Sequence, residues 1–584
     1  MNQLAEKADC YRGAIYKLID RGLLTYIEKK ERRCPFRESD SKAGSEVSLT
    51  EKQSSVIEQI TAGFSSPEIF LLHGVTGSGK TEVYLRLVEK LIASGKGAII
   101  LVPEIALTPV MVRRFFSKFG EEVAVLHSNL SAGERFDEWN RIREGLARIV
   151  IGARSAVFAP VKDPGIIIID EEHENTYKQE TYPHYDARQV AIVRGKIHRF
   201  PVLLGSATPS VEVFYQANQE KIDYLSLPER IMQDELPAVT IIDMCRELKE
   251  GNSGIFSEEL RQAITIALGR NEQVLLFLNR RGYASFVLCR ECGAVIKCKN
   301  CDISLTYHAG EDILRCHYCD YRTGIPRRCP HCNSKYIREF GTGTEKIQQL
   351  AAEEFSDAVV ERMDVDTTSQ KDSHRKILDR VEKGEIDILV GTQMIAKGHD
   401  YPNIGVVGVI SADTILNLPD FRSAERTFQL LTQVAGRTGR GTEPGRVYIQ
   451  TYNPEHYSIQ AAQTHDFKNF FEKEITLRKQ LGYPPFIYLT NIIISSEQEE
   501  KAARITRLLD KFLKKHYRAK IEEILGPSPA PIKQLRGNFR WQLILKFSRK
   551  KLRQKVLKET RKCFVEQYRS EVHFNIDVDP RSML

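Results

Sequence analysis

The chain has 584 residues, 42% of them hydrophobic and 28% charged, with 85 Lys and Arg against 77 Asp and Glu for a formal net charge of +8. At roughly 100 to 200 residues per domain this length implies several domains and excludes a small adaptor, and the near-average composition excludes a fibrous or largely disordered chain. So small a charge excess does not make a uniformly basic body, and any polyanion must be met by local patches.

In chain order, YRGAIYKLID near the N-terminus carries apolar residues at helical spacing, Gly22 breaks it, and LLTYIEKK resumes in extended form, as in the tail of a winged helix. The polar run KKERRCPFRESDSKAGSE reads as a linker, so residues 1–45 are a partial winged helix plus linker. Across 46–227 the runs IFLLHG, AIILVP, VAVLHS, RIVIGA, IIIIDE and PVLLGS alternate with helical stretches. Continuous apolar runs between helices are strands buried on both faces, which predicts a parallel α/β lobe. A connector and the start of a second lobe occupy 228–285, and QVLLFLN, VVERMD, DILVGT, IGVVGVI and RVYIQTY continue that lobe over 341–490. A cysteine-rich insertion at 286–340 interrupts it, and 491–584 reads as a small α+β domain. The longest apolar runs, at 166–169 and 274–278, fall far short of the roughly 18 residues that cross a bilayer. The N-terminus lacks a basic segment followed by an apolar one, so a cytoplasmic protein without a membrane partner is expected.

Gly74, Val75, Thr76, Gly77, Ser78, Gly79, Lys80 and Thr81 fit GxxxxGK[ST] directly after one strand and before the helical pattern EVYLRLVEKLI. Glycines let successive backbone N–H groups converge on phosphate oxygens at a helix N-terminus, Lys80 would reach the β and γ phosphates, and Thr81 would ligate Mg²⁺. IIII at 166–169 runs into Asp170, Glu171, Glu172 and His173, which places carboxylates at the C-terminal end of a buried strand. Asp170 would hold Mg²⁺ and Glu171 would orient or deprotonate the attacking water. In the second lobe, QVAGRTGR at 433–440 sets Arg437 and Arg440 one helical turn apart, the spacing of paired arginine fingers. Taken alone, an acidic turn is more often a solvated cap and two arginines an ordinary surface. The phosphate loop upstream is what favours the catalytic reading of the acidic turn.

Eight of the twelve cysteines form four CxxC pairs, Cys289/Cys292, Cys298/Cys301, Cys316/Cys319 and Cys329/Cys332. In a long chain without a secretion leader this spacing argues for metal, and two tetrahedral zinc ions account for all eight thiolates, with disulfides or an iron–sulfur cluster as the alternatives. Spacing leaves nested, consecutive and interleaved pairings open. The segment is too short and polar to bury a core, so zinc there is structural. Arg315, Arg322, Arg327 and Arg328 beside it, and RKKLRQKVLKETRK at 549–562, are either phosphate-contacting patches or solvated faces.

The phosphate loop, DEEH, GSATP at 205–209 and QVAGRTGR occur in the order that superfamily-two helicases share. With LVPEIALTP at 101–109, FLNRRGY at 277–283, the four CxxC pairs, GTGTE at 341–345 and the ending DVDPRSML, the whole chain resembles the PriA family of bacterial primosomal replication-restart helicases. The resemblance implies an α/β protein of two RecA-like lobes with ATP, Mg²⁺ and two Zn²⁺, working as an ATP-dependent 3′ to 5′ DNA helicase. Its substrates would be stalled or branched forks, and it would initiate primosome assembly. It also implies nested zinc pairing, Gln53 reading the adenine where a surface glutamine is the alternative, Thr208 coupling hydrolysis to lobe closure, and Thr392 touching DNA backbone. The aromatic-rich loop YKQETYPHY at 177–185 would stack on a single strand through its rings and Lys178. Implied partners are branched and single-stranded DNA, primosome and helicase-loading proteins, the replicative helicase through a loader, and single-strand DNA-binding protein, with the chain a nucleoid-associated monomer. Family members carry an N-terminal domain that captures a 3′ end and then a complete winged helix. This chain opens partway into the latter, so truncation relative to the family is expected.

Overall fold

Strands β1 (Ile69–Gly74), β2 (Gly97–Leu101), β3 (Val123–Leu126), β4 (Ile149–Gly152), β5 (Pro164–Ile169), β6 (Val202–Ser206) and β7 (Asp223–Leu227) form one parallel sheet in the order β3-β4-β2-β5-β6-β1-β7. The computed structural model describes residues 8, 10–25, 48–103, 109–128, 130–231, 237–279, 286–301, 303–308, 311–340, 343–364, 373–392, 395, 403–436 and 445–583. Helices cover both faces, so Ile166, Ile167, Ile168 and Ile169 of β5 are all fully buried. Burial of each such side chain is worth about 1.5 to 3 kcal/mol, which is why the central strands are unbroken apolar runs.

The second lobe begins with β8 (Ala238–Asp243) and β9 (Gln273–Phe277). The chain then leaves it for an antiparallel sheet of β10 (Phe286–Cys289), β11 (Thr306–His308), β12 (Ile313–Arg315), β13 (Arg322–Gly324) and β14 (Ile337–Phe340), ordered β13-β12-β11-β10-β14. It returns through β15 (Val360–Met363), β16 (Ile388–Gly391), β17 (Ile404–Val409) and β18 (Arg446–Thr451), which complete a parallel sheet β15-β16-β9-β17-β18-β8. Finally β19 (Tyr488–Ser496), β20 (Glu523–Leu535), β21 (Asn538–Phe547) and β22 (His573–Val578) make an antiparallel sheet, with the helices Glu499–Tyr517 and Lys550–Thr560 packed on it through Ile505, Leu509, Leu513 and Val556. The expected α/β class with two parallel-sheet, RecA-like lobes, a cysteine-rich insertion and a small C-terminal unit is what the chain adopts. Two strands differ from expectation: β7 and β8 lie at sheet edges, where partial exposure admits polar residues and leaves no continuous apolar run. Of the N-terminal winged-helix reading, the helix Arg12–Asp20 is described, whereas most of the following strand and all of the linker lie outside the described residues. Among the described residues no helix is long and apolar enough to cross a membrane.

Buried charges hold the lobes together. Glu212, on the helix Val211–Asn218 of the first lobe, meets Arg422 at 2.6 Å, Arg581 at 3.4 Å and Arg478 at 3.5 Å. Arg478 is 2% exposed and also pairs with Glu425 and Glu474, each at 2.7 Å. Glu425 reaches back across the junction to accept the Val211 N–H at 2.9 Å. Residues 577–583 run between the lobes: Lys178 of the first lobe meets Asp577 at 2.9 Å, Arg422 of the second donates to the Pro580 carbonyl at 2.9 Å, and Met583 N donates to Asp420 at 3.1 Å. Burial alone would raise the Glu212 carboxyl, but Arg422, Arg581 and Arg478 together hold it well below the usual carboxylate range. A carboxyl depressed in the folded state stabilises the fold above its unfolded pKa of about 4.3 and loses that contribution as pH falls below it. Glu212→Gln should therefore cost about 3 kcal/mol at neutral pH, since it leaves buried guanidinium groups uncompensated. In urea titrations its stability should fall less steeply than wild type between about pH 5 and pH 3.

Candidate nucleotide site and zinc sites

Because β5, β6 and β1 are neighbours in a parallel sheet, the three segments that leave their C-terminal ends meet at one edge. These are the phosphate loop after β1, the DEEH turn after β5 and the GSATP segment at the end of β6. Gly79 caps the helix Lys80–Ala93 with φ of 78°, a left-handed conformation that favours glycine, and a Cβ there would lie 2.4 Å from Gln53 Nε2. Lys80 Nζ donates to the Gly74 carbonyl at 2.7 Å. Thr81 follows in the first turn and Val75 and Thr76 line the outer bend, all half-buried. The Ser78 hydroxyl oxygen is buried with no partner among the described residues, inside a loop whose backbone wraps a helix N-terminus. An orphan polar atom in an anion-favouring cradle beside a lysine fits a nucleoside triphosphate.

Gln53 is 1% exposed and is no surface residue. It closes a capping box with Thr50, accepting the Thr50 N–H at 3.0 Å, and its Nε2 donates to the Ser78 carbonyl at 3.0 Å. One amide N–H and one lone pair remain, the complement of the N6 and N7 edge of adenine.

Asp170 stands opposite. Its Oδ1 accepts from the Tyr84 hydroxyl at 2.9 Å. Burial and then Glu171 push its carboxyl up to about 6, while Lys80 and Tyr84 pull it down. Glu171 turns the chain at a left-handed φ of 46°, with Oε2 at 3.6 Å from His173 Nδ1. His173 Nδ1 lies 2.8 Å from Ser206 Oγ, which accepts the Thr208 N–H at 3.0 Å. Thr208 in turn offers its carbonyl to Gln429 of the second lobe at 3.4 Å. Glu172 points away from the loop, accepting from Ser210 N at 2.6 Å and Ser210 Oγ at 3.1 Å. Tyr84 and Ser206 were not singled out from sequence. Tyr84 was findable, since it follows Lys80 by four positions and shares its helix face.

Arg437 and Arg440 lie outside the described residues, as do 104–108 of LVPEIALTP, 280–283 of FLNRRGY, 393, 394 and 396–400 of VGTQMIAKGHD and the first two residues of GTGTE. The last described residue before the arginines, Gly436, is packed on the phosphate loop: a Cβ there would lie 3.0 to 3.1 Å from three atoms of Thr76. Thr392 is 7% exposed at the end of β16. In the aromatic-rich loop the structure corrects the expectation. Tyr177 is fully buried and donates to the Leu101 carbonyl at 3.0 Å, Lys178 is consumed by Asp577, and of the named rings Tyr182 is the exposed one, at 85%. Tyr177 closes the core beneath Asp170, to whose carbonyl it also donates, and Lys178 is turned to the C-terminal segment, so neither is free to face a strand. Of the basic residues, Arg315 is buried against Asp320 and Arg553 pairs with Asp579, while Arg322, Arg327 and Arg328 are exposed.

The cysteines group as Cys289, Cys292, Cys329 and Cys332, and as Cys298, Cys301, Cys316 and Cys319, each set with its sulfurs within 4.8 Å of one another. This is the nested pairing. The sulfurs of Cys289 and Cys332 and of Cys292 and Cys329 are 3.7 Å apart, and those of Cys298 and Cys319 are 3.5 Å apart. Tetrahedral zinc with Zn–S near 2.3 Å requires about 3.8 Å between sulfurs, whereas a disulfide requires about 2.05 Å. Backbone N–H groups of Asn300, Tyr318 and His331 donate to Cys298, Cys316 and Cys329 at 3.4 Å, which stabilises thiolate charge. His317 is surplus to the ligand set: its Nδ1 meets the Pro529 carbonyl at 3.1 Å, and its own carbonyl accepts Ser528 Oγ and Gln542 Nε2 at 2.6 Å each, docking the insertion on the C-terminal sheet. On the other side Gly293 faces the end of β18 so closely that a Cβ would lie 2.0 Å from the Tyr452 carbonyl.

A two-lobed parallel α/β motor with a phosphate loop facing a junction defines the helicase class, and sequence profiles agree. The DEAD/DEAH box helicase profile matches residues 50–216 and the helicase conserved C-terminal domain profile matches 335–442. Two further profiles are narrower: the PriA DNA helicase Cys-rich region domain at 298–323 and the primosomal protein N C-terminal domain at 479–581. The replication restart protein PriA of Bacillus subtilis (strain 168) is 47% identical over 100% of this chain and 72% of its own length. That of Synechocystis sp. is 43% identical over 99% of this chain and 70% of its own length, and that of Haemophilus influenzae 38% identical over 93% and 73%. Solved helicase structures are more distant: RecG bound to a three-way DNA junction aligns with 75% of this chain and 51% of its own at 16% identity and a TM-score of 0.43. The chain belongs to the PriA replication restart family. It is an ATP-dependent DNA helicase of replication restart, with ATP and Mg²⁺ as the motor's cofactors and two zinc ions in the insertion.

Nested ligation makes a prediction that metal analysis of purified variants checks. Cys292→Ser combined with Cys329→Ser removes two ligands of one ion and should lower zinc from two equivalents to one. Cys292→Ser combined with Cys298→Ser strikes both sites and should leave the chain near zero.

Proposed function

We propose that this chain is a 3′ to 5′ helicase that recognises stalled or branched forks by structure, unwinds them and initiates primosome assembly. It works as a nucleoid-associated cytoplasmic monomer alongside helicase-loading proteins, the replicative helicase through a loader, and single-strand DNA-binding protein. Direction, fork preference and protein partners rest on the family.

The observation that carries the motor reading is the contact of Gly436 with Thr76, which brings the start of the second lobe's arginine motif to the edge of the first lobe's phosphate loop. In this reading the loop 74–81 cradles the phosphates through its N–H groups other than those of Val75 and Ser78, which are bonded to the Leu227 and Val75 carbonyls, Lys80 grips the β and γ positions, and Thr81 with Asp170 holds Mg²⁺, which when bound neutralises phosphate charge. Glu171 orients the attacking water. Gln53 reads the adenine edge with its remaining donor and acceptor. Arg437 and Arg440 serve as the arginine fingers of this reading. The path from His173 through Ser206 and Thr208 to Gln429 passes the state of the phosphates to the second lobe.

Lys80→Ala should abolish ATP hydrolysis and unwinding while fork binding stays within about twofold, because phosphate gripping and DNA affinity reside in different groups. Arg437→Ala should lower DNA-stimulated turnover about a thousandfold with ATP binding retained. Strand displacement on 3′-tailed and 5′-tailed DNA and RNA forks checks direction and substrate. Unwinding retained in Lys80→Ala, or turnover stimulated by RNA and not DNA, would defeat the proposal.

A further inference from the structure

The connector that leaves the first lobe does not depart directly. From Leu227, the last residue of β7, onward it runs back along the phosphate loop, to which β7's end is bonded once and the connector twice. Val75 N donates to the Leu227 carbonyl at 3.1 Å, Arg230 Nε donates to the Thr76 carbonyl at 3.1 Å, and Ile231 N donates to the Gly77 carbonyl at 3.1 Å. A fourth tie closes the outer side, where Lys52, beside Gln53 on its helix, pairs with Glu229 at 2.5 Å.

These ties hold the Ile231 side chain over the loop. At Gly79 a Cβ would lie 2.3 Å from Ile231 Cδ1 and 2.4 Å from Gln53 Nε2, so the two side chains converge above one glycine from two sides. Ile231 is nevertheless 41% exposed, a large apolar side chain outside the core clusters of the described residues. Arg230 lies flat along the loop, with its Nε, Cγ and Cδ between 3.6 and 3.9 Å from the place of a Cβ on Gly77.

An exposed apolar face fixed next to a buried amide that retains one donor and one acceptor suits a flat heteroaromatic ring. Its edge would meet the amide and its face the aliphatic side chain. We infer that Ile231 is the wall on which the adenine ring of the bound nucleotide packs, with Arg230 the positioning residue that keeps this wall against the phosphate loop. The inference rests on the reading of 74–81 as the ATP site and adds what covers the base. It makes the inter-lobe connector part of the nucleotide site.

The test uses the full chain with both zinc ions. Binding of ATP and of inorganic tripolyphosphate, which has the charge but no base, is measured by calorimetry without DNA, and KM and kcat with DNA. Ile231→Ala should weaken ATP binding and raise KM about tenfold, the effect of roughly two buried methylenes, with little change in kcat. Tripolyphosphate binding should stay unchanged, and Ile231→Leu should restore ATP affinity. GTP should weaken in parallel with ATP in Ile231→Ala, because a stacking wall does not read the base edge, whereas Gln53→Ala should change the ratio of the two. Arg230→Ala should raise KM for ATP and Arg230→Lys should recover part of the loss. Unchanged ATP affinity in Ile231→Ala, or equal loss for ATP and tripolyphosphate, overturns the inference. Lys80→Ala separates the two levels: ATP bound normally in that variant would overturn the nucleotide-site reading itself.

Discussion

One buried cluster of charge decides how the two lobes meet. Glu212 faces three guanidinium groups, Arg422, Arg478 and Arg581, drawn from the second lobe, the helix that follows it and the last residues before the C-terminus. Such a cluster adds little net stability compared with apolar packing, because desolvation offsets most of the attraction. Its force is geometric: each buried charge is satisfied in one arrangement of the three segments, so departures leave charge uncompensated. The cluster also touches the chemistry, since Arg188 joins Asp186 to the carbonyl of Glu172 in the acidic turn, and Asp186 lies 3.7 Å from Arg581. The acidic turn is thereby tied from behind to that cluster through Arg581.

On the other side of that turn, sheet order does the positioning. With β5, β6 and β1 adjacent, three short sequence motifs far apart in the chain come to one edge without long loops. Lys80, Asp170 and Tyr84 form a close-set trio in which opposing effects leave the Asp170 carboxyl lifted to about 6 by burial and Glu171. Lys80 meanwhile engages its own loop through Gly74.

The glycine-rich loop and the cysteine knuckles stood out in the sequence because their chemistry fixes both residue type and spacing. Eight thiolates in four knuckles and a glycine-rich loop between strand and helix leave few alternatives, and the nested pairing, open on spacing, follows from where β10 and β14 place the outer cysteines. Central strands were legible as apolar runs, while β7 and β8 were not, since an edge strand needs to be apolar on one face alone. Tyr177 and Lys178 misled for a related reason. Aromatic and basic residues in a polar stretch look like a nucleic-acid surface, and nothing local reveals that Asp577, 400 positions away in chain terms for its neighbour Val578, claims the lysine. Long-range ion pairs leave no periodic trace. Arg581 and Ile231 went unnoticed on the same ground, each being significant through what a distant segment brings to it.

The place of the insertion bears on how the chain is made. Strand β9, wholly apolar apart from Gln273, takes its partners from β16 and β17, with Val274 opposite Ile388 and Val406. During vectorial synthesis β9 leaves the ribosome long before either neighbour, and the cysteine sheet is translated in the interval. A nascent polypeptide thus holds β9 unpaired until β16 and β17 are made, and without zinc the ribbon beside it would be unfolded too, a state that invites aggregation or chaperone capture. Zinc binding thus folds the neighbour of a strand still waiting for its partners.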